Sequence, residues 1–246
     1  GMFQDPRICF TIWNVTLKAQ KNFLNGLYTS FAYNYLNSKD VNSIEAEITG
    51  DAFDFNPNLG NANNDVLSYS KYGDTHRFIG LASKKWTYSN DKLATTISTF
   101  FEYAQGGRFN YTYAGNINGD SSFQNNDLIY IPTASEVQQM DFSGGSTMAN
   151  NYENFILQDK YLRDNRGDYF DRYGALAPWR GRWDIKILQD FNFNVGNNKT
   201  NTLQLSLDIL NFGNLINSDW GVVEQPNNLS PISVDTSGGT PVYTFN

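Results

Sequence analysis

Charged side chains accumulate between residues 163 and 184, where RDNRGDYFDRYG is followed after a few residues by WRGRWD. Guanidinium groups hold carboxylates and phosphates through paired hydrogen bonds, so this stretch could contact a charged ligand. The alternative is a network of ion pairs that orders a long loop. The residues that we single out for ligand binding are Arg163, Arg166, Asp168, Arg172 and Arg180.

A second group of oxygen-bearing side chains lies at residues 116–127, NINGDSSFQNND. Asn118, Asp120 and Asp127 offer the amide and carboxylate oxygens that a hard cation such as calcium prefers. The spacing of these three residues departs from the EF-hand pattern, and an Asn/Asp-rich turn bonded to its own backbone is the alternative. Calcium is therefore the single cofactor that the sequence leaves open.

Patterns of enzyme chemistry are missing from the sequence. The chain has one histidine, His76, and no zinc-binding His-Glu-x-x-His, nucleophile-elbow or phosphate-loop pattern. Its 25 acidic residues outnumber its 18 basic residues, which disfavours a nucleic-acid-binding surface. We therefore expect a protein that is not an enzyme and that binds no nucleic acid.

Three pairs of alternating segments must position these side chains, at about residues 7–37, 76–104 and 182–210. Few residues separate the two members of each pair, which predicts β-hairpins with short turns. Each segment has roughly 13 to 15 residues, whereas globular strands have about 5 to 6 and a tilted membrane strand needs about 9 to 11. The strands are therefore long enough to cross a membrane.

The register of the last hairpin can be predicted from the sequence. Its apolar residues have odd numbers on both strands, and they can share one face of the sheet only if the turn between the strands holds an odd number of residues. A three-residue turn at 196–198 places Val195 opposite Lys199 and Lys186 opposite Asp208. The residues predicted to share the apolar, lipid-facing side are Trp183, Ile185, Ile187, Phe191, Phe193, Leu203, Leu205, Leu207 and Ile209.

Long segments rich in Asn, Gly, Asp and Ser separate the hairpins, at residues 38–75, 105–180 and 213–246. Loops of this length are uncommon and usually functional. Short helices are predicted at 40–48, 135–140 and 151–164, and short strands at 109–114 and 241–245. The five tryptophans fall mostly near strand ends, as at a membrane–water interface, although aromatic clusters can also stack on sugar rings.

Long strands, short turns at one end and long loops at the other are typical of an outer-membrane β-barrel. A soluble sandwich with one wet face shows the same alternation and is the alternative. The predicted fold is all-β, an antiparallel meander of long hairpins in one domain over residues 1–246. This meander would form a partial transmembrane-type β-barrel with long loops containing short helices.

Residues 159–191, DKYLRDNRGDYFDRYGALAPWRGRWDIKILQDF, and 203–221, LQLSLDILNFGNLINSDWG, resemble the C-terminal barrel region of TonB-dependent receptors, most closely the Oar-like Bacteroidetes type. The resemblance implies a 22-stranded barrel with a separate plug, located in the outer membrane of a Gram-negative bacterium. Such receptors take up nutrient ligands with energy from TonB. Neither a plug nor a TonB box is present in the sequence, so we expect a fragment of such a barrel.

The partners implied are outer-membrane lipid, an unidentified nutrient ligand and, for the whole receptor, TonB. The apolar face should be hidden by curling of the sheet, by a second copy in a homo-oligomer, or by detergent. A soluble or surface-anchored β domain that binds glycans or proteins is the alternative function. Whether the odd-numbered side of residues 183–209 faces lipid or a second sheet distinguishes the two.

Overall fold

Six long strands, each of 10 to 15 residues, dominate the structure. The structure is a computed structural model that describes residues 10–44, 47–122, 124–196 and 199–246. Numbered in chain order, the long strands are β1 (Phe10–Asn22), β2 (Leu27–Asp40), β4 (His76–Tyr88), β5 (Leu93–Ala104), β11 (Arg180–Asn194) and β12 (Thr200–Ile209).

Shorter elements lie in the connections at one end of the long strands. The short strands are β3 (Ser68–Tyr69), β6 (Arg108–Phe109), β7 (Tyr113–Ala114), β8 (Tyr130–Ile131), β9 (Asp168–Tyr169), β10 (Ala175–Leu176), β13 (Ile232–Asp235) and β14 (Val242–Phe245). The helices are α1 (Thr49–Asp54), α2 (Ala134–Val137), α3 (Gly145–Gln158), α4 (Lys160–Asp164) and α5 (Phe212–Ile216).

The long strands form one antiparallel sheet in the order β1-β2-β4-β5-β11-β12, and β3 adds to β2. Consecutive long strands are neighbours throughout, so the all-β antiparallel meander is confirmed. Within the described residues, the outermost strands β1 and β12 do not pair with each other. The sheet is therefore open, and the barrel remains a proposal.

The register of the last hairpin is confirmed. Lys186 pairs with Asp208, and the Lys186 Nζ lies 2.9 Å from the Asp208 carboxylate. The backbone N–H of Val195 donates to the carbonyl of Lys199 at 2.8 Å, which closes the turn. Residues 197 and 198 of the predicted three-residue turn lie outside the described residues.

The turns between paired strands are short because they contain residues that accept positive φ. The β4–β5 turn has Ser89, Asn90 and Asp91 at φ of 57°, 52° and 64°, a region that short polar residues tolerate better than most. Gly26 in the β1–β2 turn has φ of 77°. All three short turns lie at one end of the sheet, and the long connections leave from the other end.

The two sides of the sheet differ strongly in polarity. The register places on one side the odd-numbered residues of β1, β2, β5, β11 and β12 and the even-numbered residues of β4, which together we call the apolar face. The opposite side, called here the polar face, carries the remaining residues of the same strands. The nine predicted lipid-facing residues all lie on the apolar face.

The long connections fold together at one end of the sheet into a unit that we call the loop body, residues 41–75, 105–179 and 210–246. Its hydrophobic core holds fully buried side chains such as Ile131, Tyr152, Ile156 and Phe170. The sheet contributes only Ala94 and Ala104 to the buried hydrophobic residues. The main hydrophobic core therefore lies in the connections rather than against the sheet.

Two helix predictions need correction. A helix was predicted at 40–48, but the helix here is α1, which begins at Thr49, and residues 45 and 46 lie outside the described residues. The helix predicted at 151–164 is broken at Asp159, whose extended backbone ends α3 and whose side chain caps α4. The predicted 135–140 helix corresponds to the shorter α2, which a capping box at Thr133 and Glu136 begins. Among the described residues, no helix is long and apolar enough to cross a membrane.

Candidate functional site

The apolar face is exposed across the whole width of the sheet. On β12, Leu203, Leu205 and Leu207 each expose more than half of their surface, at 57, 58 and 55%. Val15 and Leu17 of β1 are exposed on the opposite edge, and Phe31 in between. Monomeric soluble proteins rarely expose contiguous apolar patches larger than a few hundred Å², so this face marks an interaction surface.

Aromatic side chains border the apolar face at the end nearest the loop body. Trp179 stacks on Tyr103 with ring centroids 4.9 Å apart, and it also contacts His76 and Phe78 at 6.0 and 5.9 Å. Trp183 packs edge-on against Phe212 of α5, and its indole N–H donates to the Thr99 hydroxyl. These rings, with Trp13, Tyr33, Tyr35 and Trp220, form the loop-end belt.

A second and smaller group of aromatic residues borders the apolar face at its turn end. Trp86 and Tyr88 close β4, and both are exposed. The Tyr88 hydroxyl lies 3.0 Å from the Thr95 hydroxyl and 3.1 Å from the Gln189 side-chain oxygen, so its polar tip has partners while its ring stays on the apolar face. We call this group the turn-end belt.

The two belts lie about one membrane thickness apart. Phe78 and Trp86 on β4 are eight residues apart, which at about 3.4 Å per residue is about 27 Å. With the strand tilt of about 40° that outer-membrane barrels have, this distance would become about 21 Å, and the distance to Tyr88 would become about 26 Å. The apolar band of an outer-membrane barrel is about 25 Å tall.

Charged residues are excluded from the middle of the apolar face. In the long strands it carries three charged residues, Lys21, Lys39 and Lys84, and no acidic residue, whereas the polar face carries eleven charged residues. Each lysine amine lies over an aromatic ring at one end of the sheet, and that of Lys84 reaches the Asn25 carbonyl in the first turn. Long cationic side chains extend toward the nearest interface in this way at membranes.

The polar face is held together by side-chain pairs across neighbouring strands. Asp190 is buried and accepts from Lys85 at 3.4 Å and from Gln204 at 2.7 Å, which links β4, β11 and β12. Arg77 and Glu102 form an ion pair of 2.6 Å between β4 and β5. Such a surface suits contact with water or with a polar ligand.

The five residues predicted to bind a ligand do not form one site. Arg166 holds Glu153 through two hydrogen bonds of 2.6 and 3.1 Å, and Arg180 pairs with Asp74 at 3.0 Å. Arg163 is half-exposed on α4 and lies 3.4 Å from Asp164. The side chain of Asp168 accepts from the backbone N–H of Tyr169, and Arg172 is described below. Four of these residues therefore have a separate carboxylate partner, as the ion-pair interpretation expects, and their binding of a ligand remains a prediction.

Arg172 connects the loop body to the sheet. Its guanidinium is buried and lies 3.0 Å from the Asp40 carboxylate at the end of β2, and it also donates to the Asn56 side chain and to the carbonyls of Asp40 and Val41. Burial lowers the pKa of Arg172, and the Asp40 charge opposes that shift. Arginine stays charged even so, because its ordinary pKa is far above neutrality.

A cleft of about 780 Å³ opens in the loop body. Its lining mixes aromatic rings with acidic and amide groups, including Tyr111, Tyr161, Trp179, Asp159, Asp164 and Glu224. None of the five predicted ligand-binding residues is among its lining residues. The sequence predicted that arginines contact the ligand, but the cleft is lined by Asp164 and Asn165, which directly follow Arg163 in the chain. The one sequence signal for the cleft was that the predicted arginines lie in the same stretch of the chain as several of its lining residues.

The cleft wall is ordered by a contact between Tyr111 and Asp159. The Tyr111 hydroxyl donates to the Asp159 carboxylate at 3.2 Å, and the same carboxylate accepts from the backbone N–H of Leu162 at 3.0 Å to cap α4. Burial raises the pKa of Tyr111 well above its usual range, and the charge of Asp159 adds to the shift. The hydroxyl therefore keeps its proton at neutral pH and acts as a donor.

Replacing Asp159 by Ala should lower the free energy of unfolding by about 1–2 kcal/mol, because α4 loses its N-terminal cap. Asp159→Asn is the matched control, since an asparagine oxygen caps a helix equally well. Denaturant titration followed by tryptophan fluorescence measures both variants. Equal destabilisation by both substitutions would show that charge, not the cap, is what matters at this position.

The three predicted metal ligands lie together in one loop. The Asn118 side-chain amide donates to the Asp120 carboxylate at 3.0 Å, and Asp127 accepts from the backbone N–H groups of Ile117 and Asn118 at 2.8 and 3.4 Å. If a twelve-residue loop is numbered from Asn116, its polar side chains occupy positions 1, 3, 5, 7, 9 and 12. These are the ligand positions of an EF-hand loop. The loop still departs from the EF-hand pattern at positions 1, 6 and 12, where it has Asn116, Ser121 and Asp127 instead of Asp, Gly and Glu.

Together these features define a class of protein: an all-β chain with an open antiparallel sheet, one exposed apolar face, one polar face, and a folded body at the loop end. No protein-family model matches the chain, and no curated protein or solved structure matches it. Its function is therefore inferred from its residues and their geometry.

Proposed function

We propose that this chain forms part of the wall of an outer-membrane β-barrel of the TonB-dependent receptor type, with the loop body at its ligand-binding end. The observation that carries the proposal is the apolar face, which is exposed, free of acidic residues on its strands and bordered by aromatic belts about 27 Å apart along β4. Lipid is the partner with these dimensions.

The location of the hydrophobic core supports lipid over a second sheet as the occupant. In a soluble sandwich the apolar faces of two sheets pack together and form the main core. Here the core of described residues lies in the loop body, built from residues such as Ile129, Tyr152 and Phe170. In a bilayer the apolar face needs no protein core beneath it, because the hydrocarbon tails surround it.

The open edges of the sheet fit this proposal. Both β1 and β12 are exposed along nearly their whole length, and no strand among the described residues pairs with their outer sides. Each unsatisfied backbone group costs several kcal/mol in hydrocarbon, so membrane sheets close into barrels. Further strands must therefore pair with these edges in a bilayer, and another part of a longer receptor or a second copy of the chain could supply them.

The ligand-binding part of the proposal rests on the cleft in the loop body. Trp179 and Tyr161 offer aromatic surfaces, and Asp159, Asp164 and Glu224 offer hydrogen-bond acceptors. Such a lining suits a neutral or cationic polar ligand with several hydrogen-bond donors. In a whole receptor, TonB would supply the energy that moves this nutrient inward.

Trypsin treatment of intact source cells tests the location. The natural gene product should be recovered in the outer membrane and cleaved after Lys160, whose side chain is 86% exposed in the loop body. Lys92, in the short β4–β5 turn at the opposite end, should be cleaved only after the outer membrane is permeabilised. Recovery in the soluble fraction would overturn the proposal in favour of a soluble β domain.

A further inference from the structure

We propose that the loop at residues 116–127 binds calcium, with Asn58 from a neighbouring segment beside it. The loop follows β7, and it has the length and ligand positions of an EF-hand loop without the flanking helices. Asn116, Asn118 and Asp120 occupy the first three ligand positions, and Asp127 occupies the twelfth, where EF-hands have glutamate.

One backbone angle in the described part of the loop agrees with this position scheme. In EF-hands a glycine at position 6 makes a sharp turn. Position 6 is Ser121 here, and its φ is 70°, in the left-handed region that glycine normally serves. The backbone N–H groups of Asp120 and Ser122 donate to the side-chain oxygens of Asn118 and Asp120, both at 2.9 Å, which holds these two oxygens close to the loop backbone.

An independent observation comes from Asn58, in the segment beside the loop. Asn58 forms a parallel β-bridge with Asp127, and bridged residues project their side chains to the same side of the backbone. The side-chain oxygen of Asn58 is buried and receives no hydrogen bond from the part of the chain that the structure describes. Leaving a buried acceptor unsatisfied costs about 1–3 kcal/mol. A cation at this place would give that oxygen a partner.

The charge of Asp127 points in the same direction. Asp127 is 95% buried, since its exposed fraction is 5%, and no described lysine or arginine forms an ion pair with it. Buried charges are normally paired or coordinate a metal. The two backbone N–H groups that Asp127 receives supply partial positive charge only. A cation between Asp120 and Asp127 would neutralise both carboxylates.

The ligand chemistry selects calcium. All candidate donors are amide, carboxylate, hydroxyl or carbonyl oxygens, which suit hard cations, and a flexible loop of many oxygens favours calcium over the strictly octahedral magnesium. Two carboxylates are few for such a site, so we expect a dissociation constant of about 10⁻⁴–10⁻³ M, the range of extracellular calcium modules. Bound calcium would join the 56–60 segment to the 116–127 loop.

Isothermal titration of the purified chain in detergent micelles with CaCl₂ tests the site, at constant ionic strength and with MgCl₂ as competitor. We expect saturable binding of one ion per chain. Asp120→Asn and Asp127→Asn should each weaken it at least about tenfold, whereas Asp65→Asn, at an exposed acid outside the loop, should leave it unchanged. Circular dichroism shows whether each variant is folded.

Two outcomes would overturn the proposal. One is the absence of saturable heat up to about 10 mM calcium, roughly tenfold above the expected range. The other is binding that Asp120→Asn leaves unchanged, since Asp120 is exposed enough that its replacement should not unfold the chain even if Asp127→Asn does. Neither outcome affects the membrane location, which the trypsin experiment tests separately.

Discussion

Replacing Leu205 by Arg should destabilise the sheet in a lipid bilayer by up to about 2–4 kcal/mol, the cost that a cationic side chain on the lipid side of a barrel reaches at the membrane midplane. Leu205 lies in the middle of β12, on the apolar face and opposite Gln189, whose side-chain oxygen accepts from the Tyr88 hydroxyl of the turn-end belt. Its side chain is 58% exposed, so the substitution disturbs no protein core. In water the same change should cost less than about 0.5 kcal/mol.

The matched control is Ser206→Arg, one residue further along β12 on the polar face and also exposed. Reconstitution into phospholipid vesicles, followed by urea titration and by the fraction of chain that inserts, measures both variants. We expect Leu205→Arg to lose insertion and Ser206→Arg to retain it. If the two variants behave alike, the apolar face does not contact lipid and another partner must cover it.

Replacing Arg172 by Ala should lower the free energy of unfolding of the loop body by about 3–5 kcal/mol, because the change removes one partner of a buried ion pair. The Asp40 carboxylate, 18% exposed, would lose the guanidinium 3.0 Å away. The carbonyls of Asp40 and Val41 and the Asn56 side chain would lose their donor as well. The connection between β2 and the loop body should therefore open.

Arg163→Ala is the control for this experiment, because Arg163 is half-exposed and pairs with a neighbour in sequence, Asp164. Exposed pairs contribute about 0–1 kcal/mol, so the control should stay near native stability. Amide hydrogen exchange resolves the effect along the chain. Protection should fall in residues 41–75 of the Arg172 variant and stay unchanged in β11 and β12. A uniform loss over all strands would contradict a local role for Arg172.

The structure divides into two parts that differ in where their apolar side chains lie. The loop body buries Ile131, Tyr152 and Phe170 as a water-soluble domain does. The sheet instead exposes apolar side chains such as Phe31 and Leu207 between its aromatic belts. The ion pair of Arg172 and Asp40 lies at the junction of the two parts, and the buried guanidinium is tolerated there because a carboxylate and several oxygen acceptors surround it.

The long strands could be predicted because alternation is a local property of the chain. In the last hairpin the parity of Val195 and the apolar residues after it was enough to place Lys186 opposite Asp208, as the structure confirms. Paired residues on neighbouring strands lie on the same face of a sheet. The register of a hairpin therefore determines which residues of both its strands share the apolar face. The apolar face was therefore readable from the sequence, although its contact with lipid remains a prediction.

The loop body could be predicted only in part. The pattern of Phe155, Leu157 and Leu162 suggested one helix, but Asp159 bonds the backbone of Leu162 and breaks it into α3 and α4. The arginines of 163–180 were the obvious candidates for ligand contact, yet each forms its own ion pair or backbone contact. Particular side-chain hydrogen bonds and ion pairs, some local and some between residues far apart in sequence, decided these outcomes.

The sequence by itself determined the long antiparallel hairpins, their register and the separation of apolar from polar residues, because each of these follows from a period of two along neighbouring segments. Only the tertiary structure decided that Arg172 meets Asp40, that Asn58 lies beside Asp127, and that Asp159 and Trp179 line one cleft. These contacts join residues dozens of positions apart. No local periodicity encodes them, since they depend on how the long connections pack on one another.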